Sequence, residues 1–312
     1  MRTIIAGQDQ IKLFNSICIE TAAKCNRTCF FCPNNGTDRP DDEMPWGVVE
    51  KIAEELGRLK YSGRISPYIY NEPMRDTRLP DFLRLMRKAC PRANLMTNTN
   101  GDYIRRREDV LDLFAAGLDS IVINIYAAKD NTARGIALAD KRYERLSSMF
   151  AEEGSGSAYL KKGVVEINRK YGKYFEGGHK KTNRSGNIEW SAAALTEPLK
   201  KTCVRPWRVL NINWKGEAIL CCNDYHGEET FGNVADRSIV DIWNDMRLHE
   251  IRAALQNRDR TIVPLCAKCD FYGGAYQHML TTVQMPGLGG AARAPGRIGG
   301  RAVAPASPKG SP

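Results

Sequence analysis

The chain is poor in histidine, with four among 312 residues, and no apolar run is long enough to cross a bilayer. Its first residues, MRTIIAGQDQIKLF, lack the apolar stretch of a signal peptide. No glycine-rich loop follows the first predicted strand, which argues against a nucleotide-binding Rossmann start. These absences point to a cytoplasmic chain, in which ten cysteines serve metal binding or redox chemistry rather than disulfides. The composition, 42% hydrophobic and 26% charged, allows a sizeable core in one large domain or two medium ones.

A net charge of +10 raises the question of nucleic acid. Four of those charges, Arg293, Arg297, Arg301 and Lys309, lie in an acid-free tail of Gly, Ala and Pro that cannot build a core. The remaining basic residues are not interleaved with aromatics, so nucleic acid is not an expected partner.

Between the ends, β-like runs alternate with amphipathic helical runs. Strands are expected at 15–21, 65–70, 93–98, 120–126 and 163–168, with a sixth inside 186–192. Helices are expected at 45–59, 79–89, 107–117 and 140–153. Such alternation implies parallel strands with helices outside, either doubly wound or curled into a barrel. Both architectures put chemistry in the loops after the strands, and CNRTCFFC (25–32) fills the first of these. The alternation ends near 195, and a cysteine-rich, loop-like segment follows.

Cys25, Cys29 and Cys32 place three thiolates within eight residues. A four-iron cluster takes one thiolate per iron, so three would leave one iron open to a small molecule. Zinc completed by a distant histidine or acid is the alternative. Cys203, Cys221, Cys222, Cys266 and Cys269 form a second set, which suits a closed cluster or a structural zinc ribbon equally well.

The spacing Cys-x3-Cys-x2-Cys, with Phe31 before the last cysteine, resembles the signature of radical S-adenosylmethionine enzymes. The resemblance implies a 4Fe-4S cluster on Cys25, Cys29 and Cys32 whose open iron chelates the cofactor's amino and carboxylate groups. An electron from an external donor such as flavodoxin or ferredoxin then cleaves the cofactor, giving a 5′-deoxyadenosyl radical that abstracts a substrate hydrogen. The implied fold is α/β, a partial (β/α)6 TIM-like barrel over 1–197, then a small twitch domain over 198–278 and a disordered tail over 279–312. YNEP (70–73) resembles the family's Gly-Gly-Glu-Pro, with Tyr70 and Asn71 in place of the glycines. Asn71 and Glu72 are therefore expected to engage the cofactor's amino group, with Phe31 beside the cofactor. TNTNG (97–101) resembles the family's Thr-Asn-Gly, and Asn124 is the expected partner of the ribose hydroxyls.

The second set, with Gly216 five residues before Cys221 and the closing LCAKC, resembles the auxiliary-cluster domain called SPASM in its truncated, twitch form. That resemblance assigns Cys203, Cys221, Cys266 and Cys269 to a second 4Fe-4S cluster and leaves Cys222 over. Twitch-type relatives include dehydrogenases and epimerases of aminoglycoside and aminocyclitol intermediates in natural-product biosynthesis. The first motif starts at Cys25, leaving no room for a leader-peptide domain, so a small sugar-like substrate is expected. Cys222 is the expected hydrogen donor, which tips the expectation towards epimerisation. Dehydrogenation of an alcohol to a ketone, peptide modification and a zinc-stabilised binding module are the alternatives. Arg184, in TNRSG, is expected to bond substrate, and His179 or Glu176 in the loop 172–181 to serve as a base.

Overall fold

The computed structural model describes residues 10–127, 132–151, 158–160, 163–172, 182–188, 195–271 and 281–284. Glu176, His179, positions 189–192 of the sixth predicted strand and residues 285–312 lie outside these.

After a short strand β1 (Gln10–Leu13), the chain runs through β2 (Ser16–Ile19), α1 (Trp46–Arg58), β3 (Arg64–Ser66), α2 (Leu79–Ala89) and β4 (Asn94–Thr99). It continues through α3 (Glu108–Ala115), β5 (Ser120–Tyr126), α4 (Ala133–Phe150), an edge strand β6 (Ala158–Leu160) and β7 (Gly163–Lys170). The strands β2, β3, β4, β5 and β7 are parallel and lie in that order, without reversal. Right-handed crossovers that keep moving in one direction set every helix on the same face. The winding is therefore of the barrel kind, not the doubly wound kind, and one face of the sheet is free of these helices.

Burial follows from that geometry. Ile121, Ile123 and Ile125 of β5 are fully buried, while Ser120, Val122, Asn124 and Tyr126 alternate onto the other face at intermediate exposure. Val49, Ile52, Ala53 and Leu56 make the buried stripe of α1, and Leu79, Phe82, Leu83 and Met86 that of α2. Each large aliphatic side chain buried this way contributes about 1.5–3 kcal/mol.

Two elements differ from the sequence expectation. Helix α4 begins at Ala133, seven residues before 140, because Thr132 caps it by accepting the Gly135 N–H at 3.2 Å. The sixth parallel strand is not in the described part of 186–192, where Arg184–Gly186 forms a 3-10 turn. Instead β8 (Val209–Ile212), from the cysteine-rich segment, pairs parallel with β2 on its other side. The sheet thus runs without a break from the first region into the second.

Beyond β8, the strands β9 (Glu217–Ile219) and β10 (Thr230–Asn233) extend the sheet antiparallel. Gly216 closes the turn before β9 at φ 83°, and a Cβ there would stand 2.6 Å from the Asn233 side chain, so the turn requires glycine. Short helices Ile239–Trp243, Met246–Gln256 and Pro264–Ala267 follow. They dock on the first region: Glu55 of α1 accepts the Ile239 N–H at 2.6 Å, and Phe14 meets Trp243 edge-on at 5.2 Å. Thr281–Gln284, inside the stretch expected to be disordered, forms β11 and pairs antiparallel with β1. Its β-branched Thr281, Thr282 and Val283 suit a strand. No described helix is long and apolar enough to cross a membrane.

Candidate active site

The loop after β2 carries Cys25, Cys29 and Cys32, all partly exposed, with the Cys32 N–H closing a turn on the Cys29 carbonyl at 2.9 Å. Burial pushes the Cys25 thiol up to about 11 and Cys29 up to about 12, with Cys32 adding to the rise at both and Cys25 to that at Cys29. Arg27 opposes the rise at Cys25 and Cys29, and Arg184 and Arg39 oppose it at Cys32. Three mutually close thiols under cationic influence fit a negatively charged iron–sulfur group.

What holds this loop was not evident in the sequence. Arg27 clasps Asp102 through two bonds of 2.6 and 2.7 Å, and Arg142 of α4 joins the same carboxylate at 2.8 Å. Asn26 bonds Asp102 and receives a bond from Asn100, both at 2.8 Å. Burial alone would raise the Asp102 carboxyl, but the bonds from Arg27 outweigh it and the group stays below its ordinary value. The only signal pointing here was TNTNG, whose Asn100 and Gly101 precede Asp102.

Glu72 is 3% exposed. Its carboxylate accepts from the Thr99 hydroxyl at 2.6 Å, the Asn100 N–H at 2.8 Å and the Met74 N–H at 3.1 Å. Its own N–H reaches the Lys24 carbonyl beside Cys25 at 3.3 Å. Burial raises Glu72 to about 7 against the pull of those bonds. Asn71 is spent within its own loop, accepting from the Ile69 N–H at 3.2 Å and donating to the Pro67 carbonyl at 3.4 Å. Phe31 packs on Tyr126 with ring centroids 5.0 Å apart. Asn124 lies on the helix-free face, opposite Asn168 in register. On that face Cys18 is flanked in register by Ser66 and Asn211. Ser66 Oγ, Asn98 Oδ1 and Asn211 Oδ1 are buried without hydrogen-bond partners, as in a lining made for a polar molecule.

The second set gathers from distant segments. Cys203, Cys221, Cys266 and Cys269 line one cavity, walled by Arg205 and Arg260, and Cys222 is not in that lining. Burial pushes Cys266 up to about 12 and also holds the Cys221 thiol well above its ordinary value. Arg260, 2% exposed, is fixed by the carbonyls of Lys201 and Cys269 at 3.0 and 3.1 Å. Arg205 stacks over Phe271 at 3.7 Å, and its Nη1 is buried without a partner. An orphaned cationic donor in a four-thiol cavity fits a bound iron–sulfur group. Among the described residues, no three Cys, His, Asp or Glu side chains converge as ligands of a single ion must. A cluster makes no such demand, because each cysteine takes a different iron.

Tyr70 joins the two regions. Its hydroxyl donates to the Cys222 carbonyl, 152 residues away, and its ring meets Tyr225 edge-on at 4.7 Å. Burial raises the Tyr70 hydroxyl, and Cys222, Arg184, Cys221 and Cys32 all lie within its electrostatic reach. Arg184 itself sits at φ 48° with Nε buried and unpartnered. The structure therefore brings Cys222 and Arg184 together with Cys32 of the first set and Cys221 of the second.

The radical SAM superfamily pattern matches residues 19–149, and that of the iron–sulfur cluster-binding SPASM domain matches residues 203–270. The chain is similar to the S-adenosyl-L-methionine-dependent 2-deoxy-scyllo-inosamine dehydrogenase of Niallia circulans. The two are 26% identical over 260 residues, 83% of this chain and 94% of the relative. A probable GTP 3′,8-cyclase of Thermoplasma volcanium is 26% identical over 157 residues, 49% of this chain and 45% of the relative. Among solved structures, BtrN in complex with AdoMet and 2-DOIA is similar at a TM-score of 0.67 and 25% identity, covering 86% of this chain and 99% of BtrN. BtrN in an open conformation gives 0.58 and 22%, covering 83% and 94%.

Proposed function

We propose that this chain, which carries a radical SAM domain followed by an iron–sulfur SPASM domain, is a dehydrogenase that oxidises a secondary alcohol of an aminocyclitol to a ketone. The observation that carries this reading is the similarity to a dehydrogenase of an inosamine along 94% of that relative's length. It favours the dehydrogenase alternative over epimerisation, and the two-region fold shared with BtrN supports it. The protein uses S-adenosyl-L-methionine and two 4Fe-4S clusters. When bound, these supply a 5′-deoxyadenosyl radical that takes the carbinol hydrogen and an acceptor for the electron then left on the substrate.

The chain's own residues have the following roles. Cys25, Cys29 and Cys32 hold the first cluster, and Cys203, Cys221, Cys266 and Cys269 hold the second, within domains taken as 1–197 and 198–278. Glu72 and Asn71 set the shape of the loop beside Cys25, and Glu72 is also the acid available to the cofactor's amino group. Phe31 and Asn124 would lie beside the cofactor. Arg184, between the two sets, has a buried Nε without a partner that would be free to bond the hydroxyl being oxidised and steady the oxygen as its proton leaves. Oxidation needs no hydrogen returned, so Cys222 serves as a wall of the site whose carbonyl is fixed by Tyr70.

Anaerobically loaded protein incubated with 2-deoxy-scyllo-inosamine in deuterated water separates the readings. One ketone per 5′-deoxyadenosine formed is expected. An inverted alcohol carrying one deuterium, with no ketone, would overturn dehydrogenation in favour of epimerisation.

A further inference from the structure

On α4, Leu138, Lys141, Arg142 and Arg145 follow one another at spacings of three, one and three, which puts them on a common face. Leu138 is 52% exposed, a large apolar side chain in solvent among cations. With Arg27 and Tyr126 these four residues line a cleft of about 420 Å³. Arg142 and Arg27 share the Asp102 carboxylate, and Arg145 is held by the Ile104 carbonyl at 3.0 Å. Four cations thus meet one carboxylate, and the cleft keeps a positive excess. Glu144, exposed on the same helix, is not part of the lining. Arg27 belongs both to this wall and to the first cysteine loop, where the thiols of Cys29 and Cys25 act on its charge.

We propose that this face of α4 is the docking surface for an acidic one-electron carrier protein. An exposed leucine ringed by cations has the anatomy of a small interface, an apolar centre with a charged rim. The excess positive charge selects an acidic partner and steers its approach. Arg27 makes the cleft adjacent to the cysteines of the first set, so a docked carrier sits against the group it reduces. Transfer leaves the carrier oxidised by one electron and the first cluster reduced by one. The proposal rests on the radical reading of that cluster, and it goes further by naming the surface and the charge of the partner.

The test uses a purified flavodoxin as probe. Lys141→Glu/Arg145→Glu and, separately, Leu138→Asp are compared with the unmodified protein, their folding checked by circular dichroism and thermal melting. Two quantities are measured: the calorimetric affinity for the flavodoxin between 50 and 300 mM salt, and the rate of cluster reduction by flavodoxin or by dithionite. Docking on α4 predicts that affinity for the unmodified protein falls at least ~10-fold across the salt series, and that the charge reversal costs a similar factor at low salt. Reduction by flavodoxin slows in step, while reduction by dithionite is unchanged. Leu138→Asp weakens binding at all salt concentrations. Unchanged flavodoxin affinity in a folded charge-reversal variant overturns the proposal. Failure of the radical reading itself shows separately, as no substrate oxidation by the unmodified protein even with dithionite.

Discussion

The two cysteine sets solve opposite problems. The first puts three thiols on one short loop at intermediate exposure, and its rigidity comes from outside: Asp102 after β4, Arg142 on α4, and Glu72 after β3. The second draws four thiols from segments as far apart as Cys203 and Cys269, buries three of them, and holds Arg260 with carbonyls of its own region. An open coordination site cannot be enclosed by its ligands, so neighbouring elements must brace the loop that carries it. A closed site encloses itself and can be built by the fold of one small region. Tyr70 is where the two designs meet.

The largest expected effect separates the two sets. Cys29→Ala should halve the iron of the loaded protein, from about eight to about four atoms per chain. It should also lower S-adenosylmethionine cleavage by more than the roughly 100-fold typical of losing an outer partner of a metal ligand. Cys266→Ala should halve the iron as well, yet keep cofactor cleavage while losing ketone formation. Iron analysis beside quantitation of 5′-deoxyadenosine and ketone reads both variants. Loss of cleavage in both would erase the distinction.

Glu72 tests the external bracing through pH. Its folded-state value of about 7 lies above the ordinary 4.5, so the folded protein binds this proton more tightly than the unfolded chain. Its contribution is fully present below about 4.5 and is lost as pH rises to about 7, a change of about 3 kcal/mol for a shift of this size. In urea unfolding of the metal-free protein, the stability advantage over Glu72→Gln should shrink by up to that amount between those pH values. A constant difference would contradict the assignment.

Asp102→Asn should weaken the clasp on Arg27 and Arg142 and cost about 2 kcal/mol, the scale of a charged hydrogen bond. Its iron loss should fall on the first set and spare the second, as metal analysis in a Cys266→Ala background would reveal. The smallest effect belongs to Tyr70→Phe. The ring contacts with Tyr225 remain, and only the hydroxyl bond to the Cys222 carbonyl is lost, about 1 kcal/mol in thermal unfolding. Ketone formation should drop more than cofactor cleavage, because the tether spans the two regions.

Much of this contrast was legible in the sequence, and the reason is range. Cys-x3-Cys-x2-Cys and LCAKC are local spacings, and the parallel α/β plan is carried by local periodicities such as that of SIVINIY. The rest depends on contacts that no short window contains. VLNI at 209–212 is an ordinary short strand until β2 is known to be its partner. Asp102 and Arg142 read as solvated charges until the fold sets them against Arg27. The start of α4 is marked by the Thr132 cap, and the spacing of Ile136, Ala139, Tyr143, Leu146 and Phe150 that packs on the core runs from its first turns.

The claim that the first site is open and the second closed has one direct test, EPR of the fully loaded, reduced protein before and after adding S-adenosyl-L-methionine. The cluster signal that disappears in Cys29→Ala should shift on addition, and the signal that disappears in Cys266→Ala should not. A shift confined to the Cys266-dependent signal, or no shift in either, would contradict the account.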